Sequence, residues 1–143
     1  MEARTTTAVT KVPVRYFEIW NGRDETAIDD LLADEFVWVD PLLPTELDNL
    51  EGAHMFLVGA WAGMSDLRFE LIGEPVVDEA GSRVAQEWRM LGTHDGEFLG
   101  TDATHKSVDM RGVDVFTVDD RGRVTELRAY YDAGGVLAQL GLL

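Results

Sequence analysis

Two aspartates lie inside apolar, strand-like runs of the chain. Asp40 ends one such run and Asp114 lies in the middle of another. Because side chains along a strand alternate between two faces, Asp40 shares a face with Trp38, and Asp114 shares a face with Phe116. Burial against aromatic rings removes water from a carboxylate and raises its pKa, which makes both groups candidate acids or bases at neutral pH.

Each aspartate also has a purely structural explanation. Asp40 precedes Pro41 and would begin a turn, and Asp114 would cap a neighbouring loop. For either residue alone the two explanations are equally good. The occurrence of two such residues in one small chain favours a shared acidic site.

No second chemical centre stands out in the sequence. The three histidines, His54, His94 and His105, lack the i, i+2 or i, i+4 spacing of a metal-binding pair, so no metal site is predicted. We expect His94 to be exposed on a hairpin, although its strand face would also let it reach a cavity. The sequence has neither a nucleotide-binding glycine loop nor a serine-hydrolase motif, and we expect no cofactor.

The composition limits the partners. The chain has 143 residues, 45% of them hydrophobic, which is enough for one domain over 1–143 with a real core. Its formal net charge of −15 argues against nucleic acid and against an anionic membrane surface, since both attract Lys and Arg. The absence of cysteine excludes disulfides and a cysteine nucleophile. The sequence has no signal-peptide pattern or transmembrane-length run, so a cytoplasmic location is predicted.

The first half of the chain is predicted to be mainly helical, and residues 1–7 are expected to fray. Hydrophobic spacing predicts three helices and one strand, over 9–20, 25–33, 52–63 and 35–40. Pro13 is placed in the first turn of the first helix, and Asp24 is the predicted cap of the second. The third helix is expected to bury Met55, Phe56 and Trp61 or their neighbours.

The second half is predicted to form long antiparallel strands. Their expected ranges are 66–78, 83–93, 107–118 and 123–131. Pro75 marks an edge strand or a bulge, and a last helix over 133–140 is capped by Asp132. Helices followed by a sheet predict an α+β fold in which the sheet curls around the helices and leaves a cone-shaped cavity.

Several apolar residues are candidates for the lining of that cavity. Trp20, Trp38, Trp61 and Trp88 come from four different elements, and we expect two of them to be ordinary core residues and the others to line a pocket. The loop 41–51 is rich in leucine, which is unusual for an idle surface loop and indicates a lid.

The outer face of the sheet is predicted to carry an interface. Val113, Val115 and Thr117 lie on the strand face opposite Asp114, and an apolar outer face predicts a homodimer, which light scattering would detect. Glu87 and Arg89 lie opposite Trp88 and suit surface pairing better than catalysis.

The sequence resembles a known superfamily over nearly its whole length. Residues 16–24 and 31–36, followed by Asp40-Pro41, resemble the opening of NTF2-like proteins, which include ketosteroid isomerases and SnoaL-like polyketide cyclases. The segments 88–100 and 129–132 are similar to the hairpin and the ending of the SnoaL-like cyclases. The resemblance implies an NTF2-like cone, an α+β barrel in which three N-terminal helices pack on a curved, mostly antiparallel mixed sheet around a deep apolar pocket.

The resemblance also implies roles for individual residues. Ketosteroid isomerases use an aspartate base, a tyrosine donor and a protonated aspartate donor, which fall on Asp40, Tyr16 and Asp114 of this chain. The substrate-contacting residues expected with them are the four tryptophans together with Met90, Phe116, Ala129 and Tyr131.

Two departures from the relatives narrow the expected chemistry. The aspartate and histidine of aldol-type SnoaL-like cyclases fall on Ala129 and Val115, which argues against their route of ring closure. The Arg-x-Asp of limonene epoxide hydrolases is replaced in this chain, and only the final Asp132 is kept, so epoxide hydrolysis by that triad is not expected.

Three functions remain open from the sequence. The first is a cofactor-free cyclase for a hydrophobic polyketide-like compound, acting by acid–base catalysis or by substrate shape. The second is a ketosteroid-type double-bond isomerase. The third is a non-catalytic ligand-binding or dimerisation module, because NTF2-like folds host many functions.

Overall fold

The computed structural model of the protein describes the backbone of residues 6–143 and the side chains of residues 8–143. A curved five-stranded mixed sheet packs against the N-terminal helices, which confirms the predicted α+β arrangement. The helices are α1 (Thr6–Gly22), α2 (Ile28–Leu31), α3 (Leu50–Gly63) and α4 (Ala133–Gln139), with a 3-10 turn at Glu25–Ala27. The strands are β1 (Leu32–Val39), β2 (Arg68–Val77), β3 (Arg83–Thr93), β4 (Ser107–Val118) and β5 (Val124–Tyr130).

The strand order in the sheet is β1-β5-β4-β3-β2. Strands β2 to β5 pair antiparallel in sequence order, as expected for a meander. Strand β1 pairs with β5 in parallel, with Val39 opposite Arg128. The carboxyl ends of β1 and β5 therefore lie side by side, and the residues that follow them, Asp40 and Tyr131, come close together.

Helix α1 begins earlier than predicted. Its apolar face buries Val9, Val12, Tyr16 and Trp20, as the spacing indicated. Pro13, however, lies inside the helix rather than in its first turn. Packing of Val9 and Val12 in the core favours helix on the N-terminal side of Pro13 despite the missing N–H. Of the segment expected to fray, residues 1–5 lie outside the described residues, and Thr6 and Thr7 belong to α1.

The predicted second helix over 25–33 is shorter than expected. It is divided into the 3-10 turn and α2, and β1 already starts at Leu32. Ile28, Leu31 and Leu32 are all buried, so an apolar run that suits a helix face also suits the start of a buried strand. Asp24 precedes the turn but makes no side-chain cap to the backbone, because its carboxylate accepts a hydrogen bond from the Thr26 hydroxyl.

Helix α3 exposes one residue that was predicted to be buried. Met55 is 68% exposed, and the fully buried positions are its neighbours Ala53 and Leu57. Apart from Leu57, the buried residues of this helix are small, namely Ala53, Ala60 and Gly63, so hydrophobic spacing marks the buried face weakly, and the neighbours of Met55 are buried in its place. Asn49 caps the helix by accepting a hydrogen bond from Gly52 N–H at 2.8 Å.

The strands of the second half agree closely with their predicted ranges. Strand β2 lies at the edge of the sheet, and its register with β3 shifts between Ile72 and Val76, which confirms the edge and the bulge expected at Pro75. Asp132 caps α4 by accepting a hydrogen bond from Gly135 N–H at 2.8 Å, also as predicted.

His94 is buried, so the prediction of an exposed hairpin histidine is wrong. The backbone of His94 continues the β3–β4 ladder through hydrogen bonds with His105 and Lys106, and this keeps its side chain on the inner face. Thr104 N–H donates to Nδ1 of His94 at 3.2 Å, whereas Nε2 is buried and has no hydrogen-bond partner among the described residues.

The outer face of the sheet combines apolar and charged residues. Val113, Val115 and Thr117 are half-buried there, on the face opposite Asp114. Arg89 forms a salt bridge with Asp109 at 2.6 Å, consistent with the surface pairing expected for it. The homodimer inferred from this face stays a prediction. Among the described residues no helix is long and apolar enough to cross a bilayer.

A glycine on β4 makes room for the indole of Trp88. Gly112 pairs with Trp88 across β3 and β4, and a Cβ at Gly112 would lie 2.5 Å from the indole and 2.8 Å from the Tyr130 carbonyl oxygen. We expect Gly112→Ala to lower the free energy of unfolding by about 1–3 kcal/mol, because the added methyl group would overpack the core around the indole. Urea denaturation measures this change.

Gly59→Ala is the matched control for this substitution. Gly59 lies on the exposed side of α3, and a Cβ there would meet nothing within 4 Å. Its replacement should raise the free energy of unfolding by about 0.5–1 kcal/mol, since alanine favours the helix. Equal effects at the two glycines would contradict the proposed clash with Trp88.

Candidate active site

A cavity lies between the helices and the inner face of the sheet. Four polar side chains reach it, those of Tyr16, Asp40, Asp114 and Tyr131, and the rest of its wall is apolar or aromatic. Among the wall residues are Trp20, Leu42, Phe56, Met64, Phe69, Trp88, Met90, Phe98 and Ala129. Its volume is about 40 Å³, and a water molecule needs about 10–15 Å³, so the cavity has room for a few waters.

Asp40 directly follows β1 and faces the cavity. Its Oδ1 accepts two hydrogen bonds, from the Tyr131 hydroxyl at 2.5 Å and from Leu42 N–H at 2.9 Å. Among the described residues nothing donates to Oδ2. Burial raises the pKa of Asp40, and the two donors to Oδ1 oppose that rise. The carboxylate is thus held by one oxygen while the other remains available as a base.

Asp114 lies on β4, where strand alternation turns its side chain inward, and it is only 3% exposed. Trp88 Nε1–H donates to its Oδ1 at 3.0 Å. Burial raises the pKa of Asp114 to about 8, with a smaller contribution from the charge of Asp40 and in spite of the Trp88 hydrogen bond. Asp114 is therefore protonated at neutral pH and can donate its proton to a ligand.

Tyr16 is buried on α1 and lines the same cavity. Its pKa is raised well above the usual value, first by burial and then by the charge of Asp114. Its ring packs edge-to-face on Trp38 and Phe116, with centroids 5.8 and 5.1 Å away. These contacts fix the ring, and the phenol stays protonated throughout the physiological range.

Tyr131 is the residue whose role the sequence did not reveal. It was expected to contact substrate, and the structure shows in addition that it holds Asp40. Burial raises the pKa of Tyr131, and the adjacent carboxylate of Asp40 raises it further, so the hydroxyl is a proton donor to Asp40. The useful signal was the parallel pairing of β1 with β5, which a single sequence does not specify.

Three residues expected to contact substrate do not line the cavity. Trp38 and Phe116 are completely buried and lie against Tyr16, which occupies the cavity wall in their place. Trp61 is half-buried and lies behind Trp20, donating its Nε1–H to the Trp20 carbonyl at 3.0 Å. Strand and helix periodicity predicted the correct face for these residues but not their depth.

The other predicted residues come together. Tyr16, Trp20, Asp40, Trp88, Met90, Asp114, Ala129 and Tyr131 all line the one cavity. Within the described part of the chain, no group of three or more His, Asp or Glu residues is arranged to hold a metal ion. The cavity thus presents one base, Asp40, and two groups that can donate to an oxygen, Tyr16 and Asp114, in apolar surroundings. This set can remove a proton from carbon or oxygen and stabilise the negative charge that develops.

Comparison with known proteins relates this site to one family. The sequence model of the family described as SnoaL-like polyketide cyclase matches residues 10–140. The comparison with curated proteins found no match. One similar crystal structure is that of a candidate SnoaL-like polyketide cyclase from Jannaschia sp. CCS1. The two sequences are 24% identical, the TM-score is 0.84, and the alignment covers 100% of this chain and 99% of that one.

Two further solved structures have the same fold. IdmH from Streptomyces antibioticus, a candidate polyketide cyclase, is 24% identical, with a TM-score of 0.70, over 93% of this chain and 98% of its own. SalBIII, an epoxide hydrolase/cyclase-like enzyme of pyran ring formation in the polyether salinomycin, is 18% identical, with a TM-score of 0.75, over 90% and 94%. At these identities the matches establish the fold, and they confirm the NTF2-like cone.

The raised pKa of Asp114 predicts a pH dependence of stability. In the unfolded chain the group ionises near its ordinary value of 3.8, and in the folded chain near 8. Between these values the folded state binds more protons, so the contribution of Asp114 to stability is lost as the pH rises. Asp114→Asn keeps an acceptor for Trp88 but cannot ionise. As the pH rises through this window, the free energy of unfolding of the variant should therefore increase relative to that of the wild type by up to about 1.4 kcal/mol per pH unit.

Urea denaturation at several pH values from 4 to 9 measures this difference. Asp102→Asn, at an exposed position, is the control for the general effect of removing a negative charge. Parallel stability curves for wild type and Asp114→Asn would show that Asp114 ionises normally in the folded protein.

Proposed function

The chain belongs to the SnoaL-like polyketide cyclase family, and we propose that it is a cofactor-independent cyclase or isomerase for a hydrophobic, polyketide-like small molecule. The observation that carries this proposal is the pairing of an available carboxylate oxygen on Asp40 with a protonated Asp114 in one apolar cavity. A carboxylate base and a protonated donor in the same cavity are what proton transfer at carbon requires.

In the proposed reaction Asp40 starts the chemistry. Its Oδ2 removes a proton from a carbon beside a ketone, and the electrons of that C–H bond move onto the ketone oxygen. Tyr16 and Asp114 donate hydrogen bonds to this oxygen as its charge develops. Donors aimed at an oxyanion in a dry site are each worth about 3–4 kcal/mol in other enzymes.

The enolate formed in this way has two possible fates. Attack of its carbon on a second carbonyl of the same molecule closes a ring, and the proton held by Asp40 then goes to the new alkoxide. Return of the proton to a different carbon of the enolate moves a double bond instead. The apolar wall favours folded conformations of a flexible substrate, which supports ring closure.

Ala129 supports an enolate ring closure that uses a different base from that of the aldol-type relatives. It pairs with Asp114 across β4 and β5 and presents a methyl group to the cavity where those relatives carry an aspartate. The base in this chain would instead be Asp40, which follows β1. In the sheet, β5 lies between β1 and the strand β4 that carries Asp114. SalBIII, named for pyran ring formation, is a case in which this fold is associated with a different ring closure.

Substrate entry is proposed to require movement of the leucine-rich loop. The cavity volume of about 40 Å³ is far below the roughly 300–1,000 Å³ of pockets that hold drug-sized ligands. Leu42 of this loop lines the cavity, and its backbone N–H is bound to Asp40. Opening of the loop as a lid would enlarge the site and break one of the two hydrogen bonds to Oδ1 of Asp40, while the bond from Tyr131 remains.

A double-bond isomerase acting on ketosteroids is the second candidate. It is favoured by the presence of Tyr16, Asp40 and Asp114 around one cavity. The test is direct: an unconjugated 3-ketosteroid should gain the absorbance of its conjugated enone when the protein is added. No gain above the rate in buffer would reject this candidate.

Both candidates share the removal of a proton from carbon, and this step can be measured without the natural substrate. The probe is acetophenone in D₂O, whose methyl group incorporates deuterium only after enolisation, as followed by proton NMR. We expect the wild type to accelerate exchange and Asp40→Asn to lose about 10²–10⁴-fold of that acceleration. Asp102→Asn is the control, and full exchange in Asp40→Asn would reject Asp40 as the base.

Tyr131→Phe should move the pH dependence of the same exchange reaction. The Tyr131 hydroxyl stabilises ionised Asp40, so its removal raises the pKa of Asp40 and shifts the acid limb of the rate profile to higher pH. Tyr130→Phe, at the adjacent exposed position, should leave the profile unchanged. Identical profiles for wild type and Tyr131→Phe would contradict this role for Tyr131.

A further inference from the structure

The four tryptophans differ in how their indole N–H groups are satisfied. Trp61 Nε1–H donates to the Trp20 carbonyl oxygen, and Trp88 Nε1–H donates to Asp114, both at 3.0 Å. The indole nitrogens of Trp20 and Trp38 are buried and have no hydrogen-bond partner in the described structure. Because an indole N–H can only donate, each of these two groups needs an acceptor.

Only one of the two unpartnered indoles can meet a ligand. Trp38 is completely buried and does not line the cavity, whereas Trp20 is 5% exposed and forms part of the cavity wall. A buried donor without an acceptor is costly and rare in folded proteins. The position of Trp20 offers an explanation, since the missing acceptor can be supplied by whatever fills the cavity.

The Trp20 indole also lies close to the hydroxyl of Tyr16. The residues are one helical turn apart on the inner face of α1, and their rings are edge-to-face with centroids 6.4 Å apart. The indole N–H is close enough to the Tyr16 hydroxyl oxygen to act on it as a donor and oppose the rise in the Tyr16 pKa that burial and Asp114 cause, but the contact falls outside hydrogen-bond geometry. The polar atoms of Trp20 and Tyr16 therefore lie together in the cavity wall.

We propose that Trp20 Nε1–H is a substrate-binding donor, and that the site selects ligands carrying a carbonyl oxygen that fits between Trp20 and Tyr16. This inference rests on the proposed function for the identity of the site but adds a specificity determinant to it. A ligand with a carbonyl at this position and an apolar body along the aromatic wall satisfies the unpartnered donor. A hydrocarbon of the same shape leaves it unsatisfied and binds more weakly.

The test compares two probes that differ only in the carbonyl. Acetophenone and ethylbenzene have the same ring and nearly the same length, and titration calorimetry gives the dissociation constant of each. The wild type should bind acetophenone more tightly, and Trp20→Phe should reduce that preference by about 2- to 12-fold, the equivalent of one net hydrogen bond. Trp61→Phe is the matched control and should keep the preference, because its N–H is already used by the protein.

A second measurement on the wild type covers the case in which Trp20→Phe fails to fold. In ¹⁵N–¹H NMR spectra the Trp20 indole signal, assigned by comparison with the folded variants of the other tryptophans, should move downfield with acetophenone and not with ethylbenzene. The Trp61 signal should respond to neither. No preference for acetophenone in the wild type, an unchanged preference in Trp20→Phe, or a Trp20 signal indifferent to the carbonyl would each overturn the inference.

These outcomes are separable from those of the proposed function. Binding and NMR shifts require no turnover, whereas deuterium exchange depends on Asp40. Loss of the carbonyl preference in Trp20→Phe together with full exchange in Asp40→Asn would support Trp20 as a binding donor and reject Asp40 as the base. Loss of exchange in Asp40→Asn with an unchanged preference in Trp20→Phe would support Asp40 as the base and reject Trp20 as a binding donor.

Discussion

The burial of two carboxyl groups in one apolar cavity is the constraint on which the site depends. Two ionised carboxylates in such surroundings would each lose hydration and would repel each other. The structure resolves this by giving the two groups different partners. Asp40 receives two donors on one oxygen, whereas Asp114 receives a single indole N–H and is more deeply buried. Asp114 therefore keeps its proton, and its neutrality spares Asp40 the repulsion of a second buried charge. The two residues are of the same type, but their different environments suit them to the different roles proposed for them.

The fold supplies these environments from four separate elements. Tyr16 comes from α1, Asp40 from the end of β1, Asp114 from the middle of β4 and Tyr131 from the end of β5. The parallel pairing of β1 and β5 brings Asp40 and Tyr131 together, and the antiparallel register of β3 and β4 places Trp88 over Gly112, within reach of Asp114. Trp88 meets Asp114 from this position because residue 112 has no side chain. The environment of Asp114 thus depends on the lack of a side chain at Gly112, two residues away on the same strand.

Much of this arrangement follows from the sequence, and the exceptions have physical reasons. Alternation along β4 placed Asp114 on the inner face, and the spacing of Tyr16 and Trp20 placed both on the inner face of α1. Periodicity gives the direction of a side chain but not its depth, which is why Trp38 and Phe116 were expected in the cavity wall and lie behind Tyr16 instead. Periodicity also allowed His94 to face the cavity, but it could not show that the hairpin continues the β-ladder as far as this residue, and this continuation is what buries it. The Asp40–Tyr131 hydrogen bond joins residues 91 positions apart, and only the strand order reveals it.

The aromatic wall has a second consequence besides raising the pKa of Asp114. Trp20 packs edge-to-face on Tyr16 and Phe56 and at a tilt on Phe69, so the four rings form a connected layer rather than separate contacts. Such a layer is apolar, and it leaves few polar groups to orient a ligand. The free donors and acceptors at its surface therefore have a large influence on which molecule binds and in which direction. In the proposed reaction, a ketone oxygen beside Tyr16 places the adjacent carbon toward the rest of the cavity, where Asp40 is the proposed base. On that proposal, the selection of a substrate and the position of its reactive proton depend on the same few atoms.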